Sequence, residues 1–95
     1  MTNTNDKQCC VHAFVSGRVQ GVWFRAFTKK QSMKVHVTGW AKNLADGRVE
    51  VMLAGSSKNI EKIITALHQG PPMAQITSIE QETLPFQHFE GFTTA

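Results

Sequence analysis

An arginine behind one glycine-bearing turn and an asparagine ahead of another are the residues whose types and spacing suit phosphate chemistry. The first segment reads Gly17-Arg18-Val19-Gln20-Gly21-Val22-Trp23-Phe24-Arg25, and the second Gly39-Trp40-Ala41-Lys42-Asn43-Leu44-Ala45-Asp46-Gly47. The first follows a strand-like run, residues 11–15, and leads into a helix-like one. A turn so placed can aim backbone N–H groups at an anion. Arg25 falls in the expected first helical turn, where the macrodipole disfavours a cation by a few tenths of a kcal/mol or more. A bound anion would remove that conflict. Taken alone, Arg25 reads as a surface helix residue and Asn43 as a residue shaping the approach to the Asp46-Gly47 turn. For Arg25, the loop in front of it reverses that preference.

These segments need elements to hold them. Val11, Ala13 and Val15 alternate with His12 and Phe14, which predicts a half-buried strand. Phe24 and Phe27, with Gln31 and Met33, give a weak helical spacing over residues 22–34. Residues 35–43 read as a second strand and residues 48–54 as a third, with Val49, Val51 and Leu53 alternating against Glu50 and Met52. Asp46-Gly47 marks a hairpin between them, because glycine tolerates the positive φ of a tight turn. The second helix has the clearest pattern, with Ile60, Ile63, Ile64 and Leu67 on one stripe. Ser56 or Ser57 can cap its start, and Gly70 before Pro71-Pro72 ends it. A last strand over residues 74–83 carries Ile76 and Ile79 out of phase, which predicts a bulge or an edge. Phe86, Phe89 and Phe92 are expected to fold back onto the core. The order β-α-β-β-α-β is the split arrangement of ferredoxin-like domains: an α+β sandwich, its sheet antiparallel or mixed, with two helices on one face. In it the first and second strands run parallel, so the first loop and Asn43 lie at one edge of the sheet.

A chain of 95 residues supports one core. Residues 1–8 read as a polar, flexible tail and residues 9–95 as a single domain. The apolar fraction of 41% is that of a globular protein, and no run approaches the ~20 apolar residues of a membrane span. The N-terminus lacks the basic-then-apolar order of a secretory signal, so a cytoplasmic protein is expected, without a membrane partner. Cys9 and Cys10 are adjacent, which suits neither a disulfide framework nor a zinc site, and they read as partly buried thiols in the first strand. His12, His36, His68 and His88 show no metal-site spacing. The net charge of +3 suits an anionic partner, but the basic residues are scattered and do not mark a nucleic-acid surface. An RNA-binding version of this fold would also need aromatics on its central strands, and residues 48–54 have none. Trp23 and Phe24 read as packing residues and Trp40 as a brace under the site. Lys42 should point to the face opposite Asn43.

On these two segments the chain resembles the acylphosphatase family, whose signatures run Gly-x-Val-Gln-Gly-Val-x-Phe-Arg and Gly-Trp-x-x-Asn-x-x-x-Gly-x-Val-x-x-x-x-x-Gly. Both are present in full, the second reaching Gly55, and the similarity spans residues 9–92. The resemblance implies hydrolysis of the carboxyl–phosphate anhydride of small acyl phosphates, giving a carboxylate and inorganic phosphate. It implies no cofactor and no metal, and the protein is taken as a monomer. It makes Arg25 and Asn43 the catalytic pair, with the backbone of Gly17, Arg18, Val19, Gln20, Gly21, Val22, Trp23 and Phe24 as the phosphate-binding loop. Arg25 would bind the phosphoryl oxygens and Asn43 would orient the attacking water. A non-catalytic anion-binding module on the same fold is the competing reading, and the presence of Asn43 beside the cradle argues for catalysis. Two departures from the family are visible. His36 stands where the family carries glycine at the end of the first helix, so it must adopt or avoid a left-handed conformation at some cost. The end, Phe92-Thr93-Thr94-Ala95, lacks the basic or aromatic close of relatives, so an edge or substrate contact from it is expected to be missing.

Overall fold

Alternation in the first strand decides which way the sheet faces. In this computed structural model, which describes residues 7–95, Val11, Ala13 and Val15 are buried while His12 and Phe14 are only partly covered. That strand is β1, Gln8–Arg18; α1 is Phe24–Lys34, β2 Thr38–Asn43, β3 Val49–Ser56, α2 Ser57–Gln69, β4 Gln75–Leu84 and β5 Phe92–Thr94. The sheet order is β4-β1-β3-β2-β5. β1 is antiparallel to both β3 and β4, β2 is antiparallel to β3, and β5 runs parallel to β2. β1 and β2 therefore point the same way. Two helices on a mixed sheet make the expected α+β, ferredoxin-like fold, with β5 as an added edge strand. The flexible-tail expectation falls largely on residues 1–6, which lie outside the described residues; Gln8 already pairs with Ser56.

The core lies between sheet and helices. Val15, Ala41, Val49, Val51 and Leu53 meet Phe24 of α1 and Ile60, Ile63, Ile64 and Leu67 of α2. Burying each large aliphatic side chain contributes roughly 1.5–3 kcal/mol. The α2 stripe is the one its periodicity predicts. Ser56 caps that helix, its hydroxyl accepting from the Asn59 N–H at 3.1 Å, and Gly70, at φ 66°, ends it. The α1 face differs from the expected one. Phe24, Thr28 and Ser32 are its buried residues, whereas Met33 is exposed. Thr28 and Ser32 donate to the carbonyls of Phe24 and Thr28, which satisfies hydroxyls that burial would otherwise penalise.

The expected bulge is present. The β1–β4 register shifts between Ser16 and Gly17, whose partners are Ser78 and Ile76, and this lets Ile76 and Ile79 both pack against the core. His36 does adopt the left-handed conformation, at φ 57°, which costs roughly 1–2 kcal/mol in a residue with a Cβ. Of the three phenylalanines expected in the core, Phe92 is buried, Phe89 is half-buried and Phe86 is exposed. Phe92 is also where β5 begins, so the expected loss of an edge contact is corrected: Gly39, Trp40 and Ala41 pair with Phe92, Thr93 and Thr94. Cys10 is buried, its thiol accepting from the Gln87 N–H, and burial, followed by the neighbouring Cys10, pushes the Cys9 thiol up. Raised thiols are poor nucleophiles at neutral pH.

Candidate active site

The end of β1 delivers the chain into the loop. Gly17 and Arg18 still belong to the strand, paired with Ile76 and Gln75, so the loop proper spans residues 19–23 rather than beginning at Gly17. Gly17 is required by that pairing: a Cβ there would sit 2.1 Å from the Gln75 carbonyl oxygen. Val19 and Val22 are buried and pin the loop to the core. Gln20 ties it sideways, its Nε2 donating to the carbonyls of Leu44 at 2.8 Å and Arg48 at 3.0 Å, on the hairpin that follows β2. The same hairpin is closed by Asp46, which accepts from the Arg48 N–H and guanidinium.

What the loop leaves free is a row of donors. Among the described residues, the backbone N–H groups of residues 20–25 have no hydrogen-bond acceptor. α1 starts from Trp23 with no side-chain cap and no acidic residue in its first turn, in contrast to the Ser56 cap of α2. Open amides at a helix N-terminus, joined to the positive end of the macrodipole, are suited to cradle an anion.

Arg25 and Asn43 meet at one atom. The Arg25 Nη1 donates to the backbone oxygen of Ala95 at 2.6 Å, and the Asn43 N–H donates to the same oxygen at 3.1 Å. β5 is what brings Ala95 there, so the C-terminal strand links the two residues. The other guanidinium donors have no partner among the described residues, which leaves a planar fork able to take phosphate oxygens. Asn43 shares the helix-facing side of β2 with Gly39 and Ala41. Its Oδ1 is, among the described residues, the buried side-chain polar atom without a hydrogen-bond partner. A buried acceptor without a protein partner calls for an explanation, and a catalytic role is one that fits its place beside Arg25.

An open cavity of about 400 Å³ adjoins the loop, lined by Gly21, Trp23, Phe24, Arg25 and Thr94 among others. A larger groove of about 1070 Å³ runs along α2, past Lys58, Glu61 and His68, and holds none of these residues. Trp23 is 79% exposed, which corrects its reading as a packing residue; Phe24 is buried as expected. Trp40 is not under the site either. Strand alternation puts it with Lys42 on the opposite face, where it lies near His12 and the Lys42 ammonium sits 5.3 Å from its ring. His12 faces Glu50 there at 2.6 Å. Among the described residues no three His, Cys, Asp or Glu side chains are grouped to hold a metal ion.

The sequence pattern did not disclose the Gln20 bridge or the part played by residues 94 and 95. Gln20 makes hydrogen bonds to two carbonyls, and such pairs contribute about 1–2 kcal/mol together. Gln20→Ala is expected to lower Tm by several degrees and kcat/KM by roughly tenfold or more, because a loop freed from the hairpin no longer holds cradle and Asn43 in register. Thermal melting and steady-state kinetics on the same preparation check both.

The family model described as Acylphosphatase matches residues 11–94. The acylphosphatase of Legionella pneumophila (strain Corby) is 44% identical over 86 residues, 90% of this chain and 94% of that protein. A solved acylphosphatase from Coxiella burnetii superposes with a TM-score of 0.89 at 33% identity, covering 98% of this chain and 100% of that one. The crystal structure of acylphosphatase from Bacillus subtilis gives 0.88 at 31% identity, over 92% and 98%.

Proposed function

The chain belongs to the acylphosphatase family, and from that premise we propose that Arg25 and Asn43 hydrolyse acyl phosphates held in the backbone cradle of residues 19–25. The activity is cleavage of the carboxyl–phosphate anhydride by water. In the proposed mechanism the loop amides and Arg25 surround the phosphoryl oxygens, and Asn43 accepts a hydrogen bond from a water aimed at phosphorus. The water oxygen bonds to phosphorus as the bond to the carboxylate oxygen breaks, and the water proton passes to a phosphoryl oxygen. A carboxylate leaves without protonation, so no acid is needed at that end. Phosphoryl transfer of this kind depends on positioning and on stabilising charge spread over the equatorial oxygens. An asparagine fits because it has no ionisable proton near neutrality and acts through orientation.

The convergence of the Arg25 guanidinium and the Asn43 backbone on the single oxygen of Ala95 is the observation that supports this assignment, since it makes the two residues neighbours at the loop. The same reading takes the protein as a cytoplasmic monomer acting on small molecules, without metal, nucleic acid or membrane partner. No helix among the described residues is long and apolar enough to cross a membrane. Benzoyl phosphate hydrolysis at neutral pH with EDTA tests the assignment. Turnover well above the uncatalysed rate supports it; phosphate binding without turnover would make the domain an anion-binding module instead.

A further inference from the structure

Trp23 is the residue of the loop that neither packing nor capping accounts for. Its indole is 79% exposed, and its backbone sits at φ 68°, ψ 18°, in the left-handed region that a bulky residue rarely adopts. Glycine would take that conformation without strain. The side chain contributes no cap to α1 and makes no ring contact among the described residues. Conformational strain and an uncovered indole at one position, two residues before Arg25, point to a ligand as the compensation.

The cavity beside it says which part of the ligand. Trp23, Gly21, Arg25 and Thr94 line it, whereas Asn43 lies outside that lining. In-line displacement requires the attacking water and the departing carboxylate on opposite sides of phosphorus. With Asn43 holding the water, the acyl group leaves on the side away from Asn43, toward the cavity walled by the indole. Resting on the function proposed above, we infer that Trp23 is a specificity-determining residue: its ring stacks on the acyl group and favours acyl phosphates whose acyl part is flat and apolar over small aliphatic ones.

The test compares kcat/KM for benzoyl phosphate and acetyl phosphate, with EDTA present, in the wild type, Trp23→Gly and Trp23→Phe. Glycine keeps the left-handed backbone, so the loop is retained while the wall is lost. The benzoyl-to-acetyl ratio is expected to fall roughly three- to tenfold in Trp23→Gly, the range that aromatic pair contacts supply, mainly through KM for benzoyl phosphate. Trp23→Phe should restore most of it. An unchanged ratio, or equal loss on both substrates, overturns the inference and reduces Trp23 to a loop residue. A wild type that hydrolyses neither substrate overturns the proposed function itself, and fluorescence separates the two failures. In Trp40→Phe, where Trp23 is the sole tryptophan, benzylphosphonate should shift the emission far more than inorganic phosphate does; equal responses would count against the acyl wall whatever the turnover.

Discussion

Arg25→Ala is expected to lower kcat/KM for benzoyl phosphate on the order of 10³-fold, and to raise the inhibition constant of inorganic phosphate, while the domain stays folded. The guanidinium is, among the described residues, the one side-chain cation that lines the cavity beside the loop, and its remaining donors can grip two phosphate oxygens at once. Arg25→Lys keeps the charge but loses the fork, so a loss on the order of 10² is expected from it as well. Folding should hardly register either change. The bond from Arg25 to the Ala95 oxygen is exposed and so worth about 1 kcal/mol or less, and Ala95 keeps two others, from the Asn43 N–H at 3.1 Å and from its own N–H to the Ala41 carbonyl at 2.9 Å. Removing a cation from the first turn of α1 also relieves an unfavourable dipole interaction of a few tenths of a kcal/mol. Kinetics, phosphate inhibition and Tm on one preparation decide the matter. A variant with wild-type phosphate inhibition would mean that the loop amides alone bind the anion.

How far the sequence discloses this arrangement depends on where each signal comes from. The α2 stripe, the Asp46-Gly47 hairpin and the β1 alternation are local, because each buried face repeats at its element's own period. α1 is weakly patterned for a physical reason: Thr28 and Ser32 fill its buried stripe, and their hydroxyls become acceptable only through carbonyls one turn back. β5 has three residues, and its pairing with β2 is a contact between distant parts of the chain, so no local period can announce it. That strand brings Ala95 between Arg25 and Asn43, where its oxygen accepts from both.

The two tryptophans show the same division. Trp23 invites a core assignment by its size, yet the left-handed turn that starts α1 leaves it outside. Trp40 is adjacent in sequence to the residues leading to Asn43, but a strand alternates, and three positions put the two on opposite faces. Arg25 is legible from the glycine-bearing loop in front of it, and Asn43 only through the family's motif. Spacing along the chain says nothing of their meeting, which depends on β1 and β2 being parallel around the intervening β3.

Asn43→Ala should separate activity from stability more sharply than any other substitution in the site. The buried Asn43 Oδ1 has no hydrogen-bond partner among the described residues, so deleting it breaks no bond within the chain. Alanine deletes that atom and keeps the backbone N–H that holds Ala95. Tm is therefore expected to stay level or rise, whereas losing a polar group from a satisfied network would lower it. Meanwhile kcat should fall on the order of 10²–10³, because in the proposed mechanism the water would lose the acceptor that aims it at phosphorus. Inhibition by inorganic phosphate should remain near wild type, since cradle and Arg25 are untouched, and this contrast with Arg25→Ala distinguishes binding from orientation. Asn43→Asp sharpens the point: it retains an acceptor at the same place but sets a negative charge beside the phosphoryl group, so phosphate inhibition should weaken along with turnover. A drop in Tm for Asn43→Ala with kcat unchanged would return Asn43 to the role of a hairpin residue and leave the water without a holder on β2.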